Sequence, residues 1–223
     1  MSQQQGVTLS EQVGEKFTDA ELLDAQARAW KALDEIAALL RPGHTEKDAA
    51  AFLKERLKAN GAQKTWHPPQ IRFGSNTTKT FGEKSEPGVA LAENDLFFLD
   101  IGPVFGGHEG DVGRTYTIGT DPEHKRIADD AKRVFEATRA KWSESGLTGR
   151  ELYDFAKSTA GSFGWELGFG GASGHRVSDF PHAVHYRGKL KTQDHIPGKN
   201  RWILEIHLFD REKRFGAFYE DLL

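Results

Sequence analysis

Apolar positions along this chain switch between two periods. From residue 19 to about residue 40 they recur every three or four residues (Leu22, Ala25, Ala29, Leu33, Ile36, Ala37, Leu40), which predicts an amphipathic helix. Thr18 and Glu21 form a capping-box pattern at its start, and Pro42-Gly43 stops it. Thr45 caps a second helix, expected to reach about Asn60 with Phe52, Leu53 and Leu57 inward and Gly61 as its stop. Residues 65–88 are rich in Pro, Gly, Ser and Thr and offer only a short strand near 71–73. The period then becomes two: Phe97, Leu99 and Ile101 alternate with Phe98 and Asp100, the signature of a strand. Gly102, Gly106, Gly107 and Gly110 permit a tight return that brings Asp111 back beside Asp100 and into a second strand, RTYT. Pro122 opens a third helix over about 123–145. Thr148 and Glu151 open a fourth, expected to run to about Leu167 before a flexible turn, GFGGASG, over 168–174. Residues 202–209 and 215–219 read as strands joined by the charged turn 210–214.

This order holds a weak duplication. Each half has a long helix, a break, a T-x-x-[DE] start, a second helix and strands beyond. It predicts an α+β fold of two facing halves with a site between them. No glycine-rich phosphate loop opens a helix.

Several charges stand where the pattern is otherwise apolar. An isolated carboxylate inside a buried strand is very costly, so Asp100 requires a pairing partner or a cation. Two carboxylates brought together, as Asp100 and Asp111 would be, repel unless a proton or cation lies between them. Glu205 sits in the apolar strand WILEIHLF, Glu220 in FGAFYEDLL, and His175 follows the glycine-rich turn. Together these residues predict a metal site.

Composition narrows the reading further. The 223 residues, 37% hydrophobic and 11% aromatic, suit one globular domain, with residues 1–17 as a flexible lead-in and 18–223 as the folded unit. A net charge of −3 gives no argument for nucleic acid or an anionic membrane. Without cysteine there is neither a disulfide scaffold nor a thiolate metal site. The polar amino-terminal stretch has no apolar core of a signal peptide, and no run is long enough to cross a bilayer, so a soluble, cytoplasmic protein is expected.

These residues, in this order, resemble the pita-bread metallopeptidase family, which includes methionine aminopeptidases, Xaa-Pro aminopeptidases, prolidases and creatinase. Asp100 and Asp111 match its D-x-G…D-x-x-R-T hairpin with Arg114-Thr115; His175 matches the histidine of its G-H motif and His182 a second histidine seven residues on; Glu205 and Glu220 match its last two ligands. Residues 41–62 resemble the segment between the family's first two helices. The likeness runs from about residue 18 to the carboxyl terminus and covers the catalytic domain alone. It implies a pita-bread fold, two pseudo-symmetric halves of helices on a curved, mostly antiparallel sheet. It implies two divalent ions, Mn, Fe or Co with Zn as a further candidate, held by Asp100, Asp111, His175, Glu205 and Glu220, with Asp111 and Glu220 bridging. By the same likeness, Glu205 and His182 are catalytic: a hydroxide held by the metals attacks an amide carbonyl, Glu205 carries the proton to the leaving amine, and His182 hydrogen-bonds the carbonyl or the tetrahedral intermediate. The implied substrate is a short peptide or small molecule with a free amino terminus; a homodimer is left open.

The chain departs from the family at three places. The family's substrate-contacting histidine, counted from Asn76, falls on Phe81, with His67 a nearby substitute. The glycines after His175 are replaced in GHRVSDFPHA, and Ala183 stands where an acid is common. Glu205 is followed by Ile206-His207, without the usual proline, so His207 shares its strand face and is expected in or near the site. Phe81, His207 and His67 are therefore the candidate substrate contacts. The absence of cysteine argues against the methionine aminopeptidase branch. The leading reading is an aminopeptidase or dipeptidase. A rival keeps the metal centre but acts on a small non-peptide substrate by C–N hydrolysis or metal-dependent redox chemistry. A non-catalytic binding module ranks last, because all five ligands are present.

Overall fold

The computed structural model describes residues 8–168 and 171–223. Helix α1 (Asp19–Ala37) buries Leu22, Ala25, Ala29, Leu33 and Ile36 along one stripe, and ends three residues before the expected Leu40. The capping box at its start is only half formed. Thr18 accepts from the Glu21 amide, but its own amide turns to His108 Nε2 at 3.3 Å, and Glu21 takes the Thr18 hydroxyl instead. Helix α2 (Glu46–Ala59) carries a complete box between Thr45 and Asp48. Helices α3 (Pro122–Ser145) and α4 (Gly149–Ser162) repeat the pattern, the second again boxed by Thr148 and Glu151. Helix α4 stops short of the expected Leu167 because Gly164 turns left-handed (φ 88°). Glu166 and Leu167 then join the sheet.

Among the described residues the strands are, in chain order, β1 (Lys64–Thr65), β2 (Gln70–Phe73), β3 (Asp95–Ile101), β4 (Pro103–Phe105), β5 (His108–Glu109), β6 (Val112–Ile118), β7 (Glu166–Leu167), β8 (His175–Arg176), β9 (Trp202–Phe209) and β10 (Gly216–Leu222). The main sheet is antiparallel in the order β2-β3-β6-β10-β9-β7, with β8 added on β9. Its two halves mirror one another: β2-β3-β6 lies under α1 and α2, and β10-β9-β7 under α3 and α4. Each half has its own apolar core, one built around Leu33, Phe73 and Leu99, the other around Phe135, Trp202 and Leu208. Trp30 packs against both. The fold is therefore the expected α+β, two-halved architecture.

Two departures bear on the site. The return from β3 to β6 is not a plain tight turn: β4 and β5 form a second hairpin, turning at Gly106 and Gly107 (φ 56° and 81°) and paired with β1. That small sheet brings residues 64–67 over the end of β3. The lead-in also differs from a free tail from Thr8 onward. Ser10 is buried, and Glu11 accepts from Trp202 Nε1 at 2.7 Å and lies 2.8 Å from His195 Nε2. Residues 1–7, and 169–170 of the expected glycine turn, lie outside the described residues.

Candidate metal centre

Strand register lines up four residues in one row across the middle of the sheet. Asp100 lies opposite Gly113, Gly113 opposite Glu220, and Glu220 opposite Glu205. Directly opposed residues point to the same face, so three carboxylates are aimed into one space. Like charges so placed destabilise a sheet unless something neutralises them. Gly113 is what lets them close in: a Cβ there would stand 2.8 Å from Glu220 Oε1 and 2.5 Å from the Phe218 ring.

Asp111 enters just before β6, and its backbone is gripped by Gln26 of α1. The Asp111 amide donates to Gln26 Oε1 at 2.9 Å, while Gln26 Nε2 donates to the Asp111 carbonyl at 2.6 Å. Helix α1 comes this close because Gly110 faces it; a Cβ on Gly110 would lie 2.7 Å from the Ala25 carbonyl. His175 pairs with Ile203, two residues from Glu205 on the same face of β9. Glu205 is steadied by the backbone amides of Ser173 and Gly174, which both donate to its Oε2.

Two groups of ligand atoms, each within 4.8 Å of one another, emerge from this packing: His67 with Asp100 and Asp111, and Asp111 with His175 and Glu220. They share Asp111. Asp100 Oδ1, Asp111 Oδ2 and Glu220 Oε1 are all buried with no hydrogen-bond partner, although His175 Nε2 approaches Asp111 Oδ2 to 2.9 Å. Buried carboxylate oxygens are rarely left so, and their lone pairs converge on one space. The donor set of carboxylates with imidazole suits Mn, Fe, Co or Zn, and four carboxylates match the charge of two divalent ions. The residues therefore fit the ions that the sequence implies.

Protons show the same strain. Burial pushes Asp100 up to about 7, with the Asp111 charge adding to it and His67 opposing it. Burial and the charges of Asp100, Asp111 and Glu205 hold Glu220 well above the ordinary carboxylate range. Burial would raise Asp111 too, but His175 and His67 outweigh it and hold Asp111 low. In return Asp111 lifts His175 to about 9 against its own burial.

Above this floor is a cavity of about 200 Å³, walled by Trp66, His67, Phe81, His182 and Lys189. The Trp66 indole touches His67, His175 and His182, with ring centres 4.3, 5.1 and 5.0 Å away, and its Nε1 reaches the Gly110 carbonyl at 3.3 Å. Behind His182 is Glu109, almost wholly buried. Its Oε2 lies 2.8 Å from His182 Nδ1, and its Oε1 accepts from the His182 amide at 3.0 Å. A carboxylate on Nδ1 fixes the ring and turns Nε2 toward the cavity.

Comparison with known proteins agrees with this geometry. Residues 20–223 match metallopeptidase family M24. The chain belongs to that family. It is 26% identical over 140 residues to a Xaa-Pro dipeptidase of Pyrococcus furiosus, an alignment covering 60% of this chain and 38% of that one. The chain thus spans well under half of that relative. Its fold is similar to the X-Pro aminopeptidase of Thermotoga maritima (TM-score 0.77, 21% identity, 95% of this chain and 59% of the other). It is similar also to a methionine aminopeptidase of the same organism (TM-score 0.73, 17% identity, 95% and 94%). Both are pita-bread structures, and the chain shares their fold.

Within this M24 domain, Asp100, Asp111, His175, Glu205 and Glu220 converge on one space, and His182, His67 and Phe81 line the cavity above it. His207 is the correction. It does share the face of Glu205, but it is not among the residues that line this cavity. Phe98, Phe209 and Phe218 surround its ring, and its Nε2 lies 2.8 Å from the Thr77 carbonyl of the 3-10 helix Gly74–Thr78. Burial pulls it down to about 4, so it is a neutral histidine in the core, outside the lining of this cavity. Gln26, Trp66, Glu109 and Lys189 were missed. Gln26 left a signal, a polar residue one turn from Leu22 in the buried stripe of α1; Glu109 left another, an acid within the GGHEGD loop. Trp66 and Lys189 sit in irregular segments that carry no periodicity. Among the described residues no helix is long and apolar enough to cross a membrane.

Proposed function

We propose that this chain is a two-metal hydrolase that cuts the amide bond of a short peptide beside its free amino terminus. The observation that carries this reading is the four-strand row: Asp100, Glu220 and Glu205 on one face, joined by Asp111 and His175, with the buried Asp100 Oδ1 and Glu220 Oε1 lacking hydrogen-bond partners. Asp111 and Glu220 would bridge, Asp100 would complete one ion, and His175 with Glu205 the other. Two divalent ions so held supply Lewis acidity and a water acidic enough to ionise near neutral pH.

The chain's own residues account for the rest. Glu205, fixed by two backbone amides, is placed to hold a proton and pass it to a leaving amine. His182, oriented by Glu109, presents Nε2 to a substrate carbonyl. Trp66 closes one side against water. A cavity of about 200 Å³ is smaller than common ligand pockets and favours a short substrate. Lys189 is a cation on its wall, a suitable partner for the carboxylate of a dipeptide.

Phe81 sustains one rival reading. An aromatic ring at the position where the family places a histidine removes a donor to the peptide, which favours a small non-peptide substrate on the same metal centre. A panel of Xaa-Pro and Met-Xaa dipeptides, tested with Mn or Co and with the metal content measured, separates the two. Cleavage supports the peptidase, and a loaded site without cleavage overturns it. A protein that neither carries nor rebinds metal would instead be a binding module.

A further inference from the structure

We propose that His67 is itself a metal ligand, so that each of the two cation positions receives one imidazole. The inference rests on the two-metal reading above and adds a residue to it.

His67 and His175 are structurally equivalent about Asp111. His175 Nε2 stands 2.9 Å from Asp111 Oδ2, and its Nδ1 lies 2.9 Å from the carbonyl of the next residue, Arg176. His67 Nε2 stands 3.2 Å from the other oxygen, Asp111 Oδ1, and its Nδ1 lies 2.9 Å from the carbonyl of its own next residue, Pro68. A histidine that ligates a metal commonly gives its second nitrogen to a backbone carbonyl, which fixes the tautomer and leaves the other lone pair for the ion. Both histidines have that arrangement, one on each side of the same carboxylate, and both pack an edge against Trp66.

The Asp100 side of the centre is where an additional ligand is needed. Asp111 and Glu220 already share the other position with His175. Asp100, about nine-tenths buried, keeps its Oδ1 without a hydrogen-bond partner 3.5 Å from His67 Nε2. His67, Asp100 and Asp111 form a compact three-residue group of their own.

The surroundings are shaped to admit the ring. A Cβ on Gly102 would stand 2.2 Å from His67 Cδ2 and 2.3 Å from its Nε2, so only glycine leaves room at the end of β3. The small sheet β1-β4-β5 holds residues 64–65 against 103–104, and the Trp66 amide donates to the Gly102 carbonyl at 2.8 Å. Together these contacts deliver His67 to the carboxylates.

The test titrates metal-free wild type, His67→Ala and His67→Gln with Co(II). It follows affinity by calorimetry and ligation by the hyperfine-shifted, solvent-exchangeable imidazole N–H signals in proton NMR, with thermal unfolding as the folding control. Wild type should show two such signals. Each variant should fold, lose one signal and bind one of its ions about tenfold more weakly or worse. Wild type with a single signal, and variants that bind both ions as tightly or more tightly, would overturn the assignment: His67 would then only offset the carboxylates' charge. Wild type that binds no metal would overturn the two-metal reading itself, and this inference with it.

Discussion

The floor and the wall of this cavity are built by different means. The floor is sheet: Asp100, Glu205 and Glu220 are held in line by strand register, the first two between apolar neighbours. The wall is loop and side-chain packing: Trp66, His67, Phe81 and His182 come from segments whose positions depend on one another. A floor set by register tolerates little change in kind, whereas a wall set by packing can be rebuilt more freely. On the proposed reading the floor governs whether ions are held, while the wall, apart from His67 and His182, governs which substrate fits.

Substitutions at each part test that contrast. The largest effect belongs to the floor. Asp111→Ala removes the carboxylate shared by both ligand groups, and metal-dependent turnover should fall to background in a steady-state assay while the protein still folds. Next comes the wall. His182→Ala should lower kcat by about 100-fold, the usual scale for losing an acid–base or polarising group, with the metal content unchanged. Glu109→Gln should reproduce part of that loss and displace the pH profile, because it acts by orienting His182.

A third effect depends on pH and needs no activity. Glu220 is held well above the usual carboxylate range by burial and its acidic neighbours. An acid raised in the folded state binds its proton more tightly there than in the unfolded chain. Metal-free protein is therefore destabilised progressively as pH rises above the ordinary Glu value near 4.3. Glu220→Gln should melt higher than wild type at pH 8 without metal, match it near pH 4, and melt lower once metal is added. Equal melting temperatures at pH 8 would remove the strained floor from the account. The smallest functional effect is expected at His207. His207→Phe should cost about 1–3 kcal/mol of stability by leaving the Thr77 carbonyl unpaired, with kcat and KM unchanged.

The same contrast explains what could be read from the sequence. A carboxylate inside a run such as LFFLDI is visible because it violates a period-two pattern, and the violation itself says that a pairing partner or a cation is needed. The helices were legible through the stripes of the first two, the Thr caps of three and Pro122 at the start of the other, and the mirrored halves through the repeat of those signals. What escaped depends on contact at a distance. Glu109 lies 73 positions from His182, and Gln26 lies 85 positions from Asp111; no local pattern joins them. The β4–β5 hairpin escaped because its strands are two and three residues long, too short for periodicity to register. His207 misled because strand alternation gives the face of a residue but not what covers it. Phe98, Phe209, Phe218 and the Thr77 carbonyl cover it here. The end of α4 was lost to Gly164, whose left-handed turn diverts an apolar pattern that would otherwise continue the helix.

Counting bound ions tests whether the cavity floor holds a two-metal centre. Metal-free protein titrated with Mn or Co under calorimetry, with the stoichiometry checked by elemental analysis, should take up two ions per chain. Binding should tighten as pH rises from 6 to 9, since His175, held protonated to about 9, and Glu220 must both release protons to ligate. Asp111→Ala should take up neither ion tightly. A wild-type protein that binds one ion or none, or an Asp111→Ala variant that still binds two, would contradict the account.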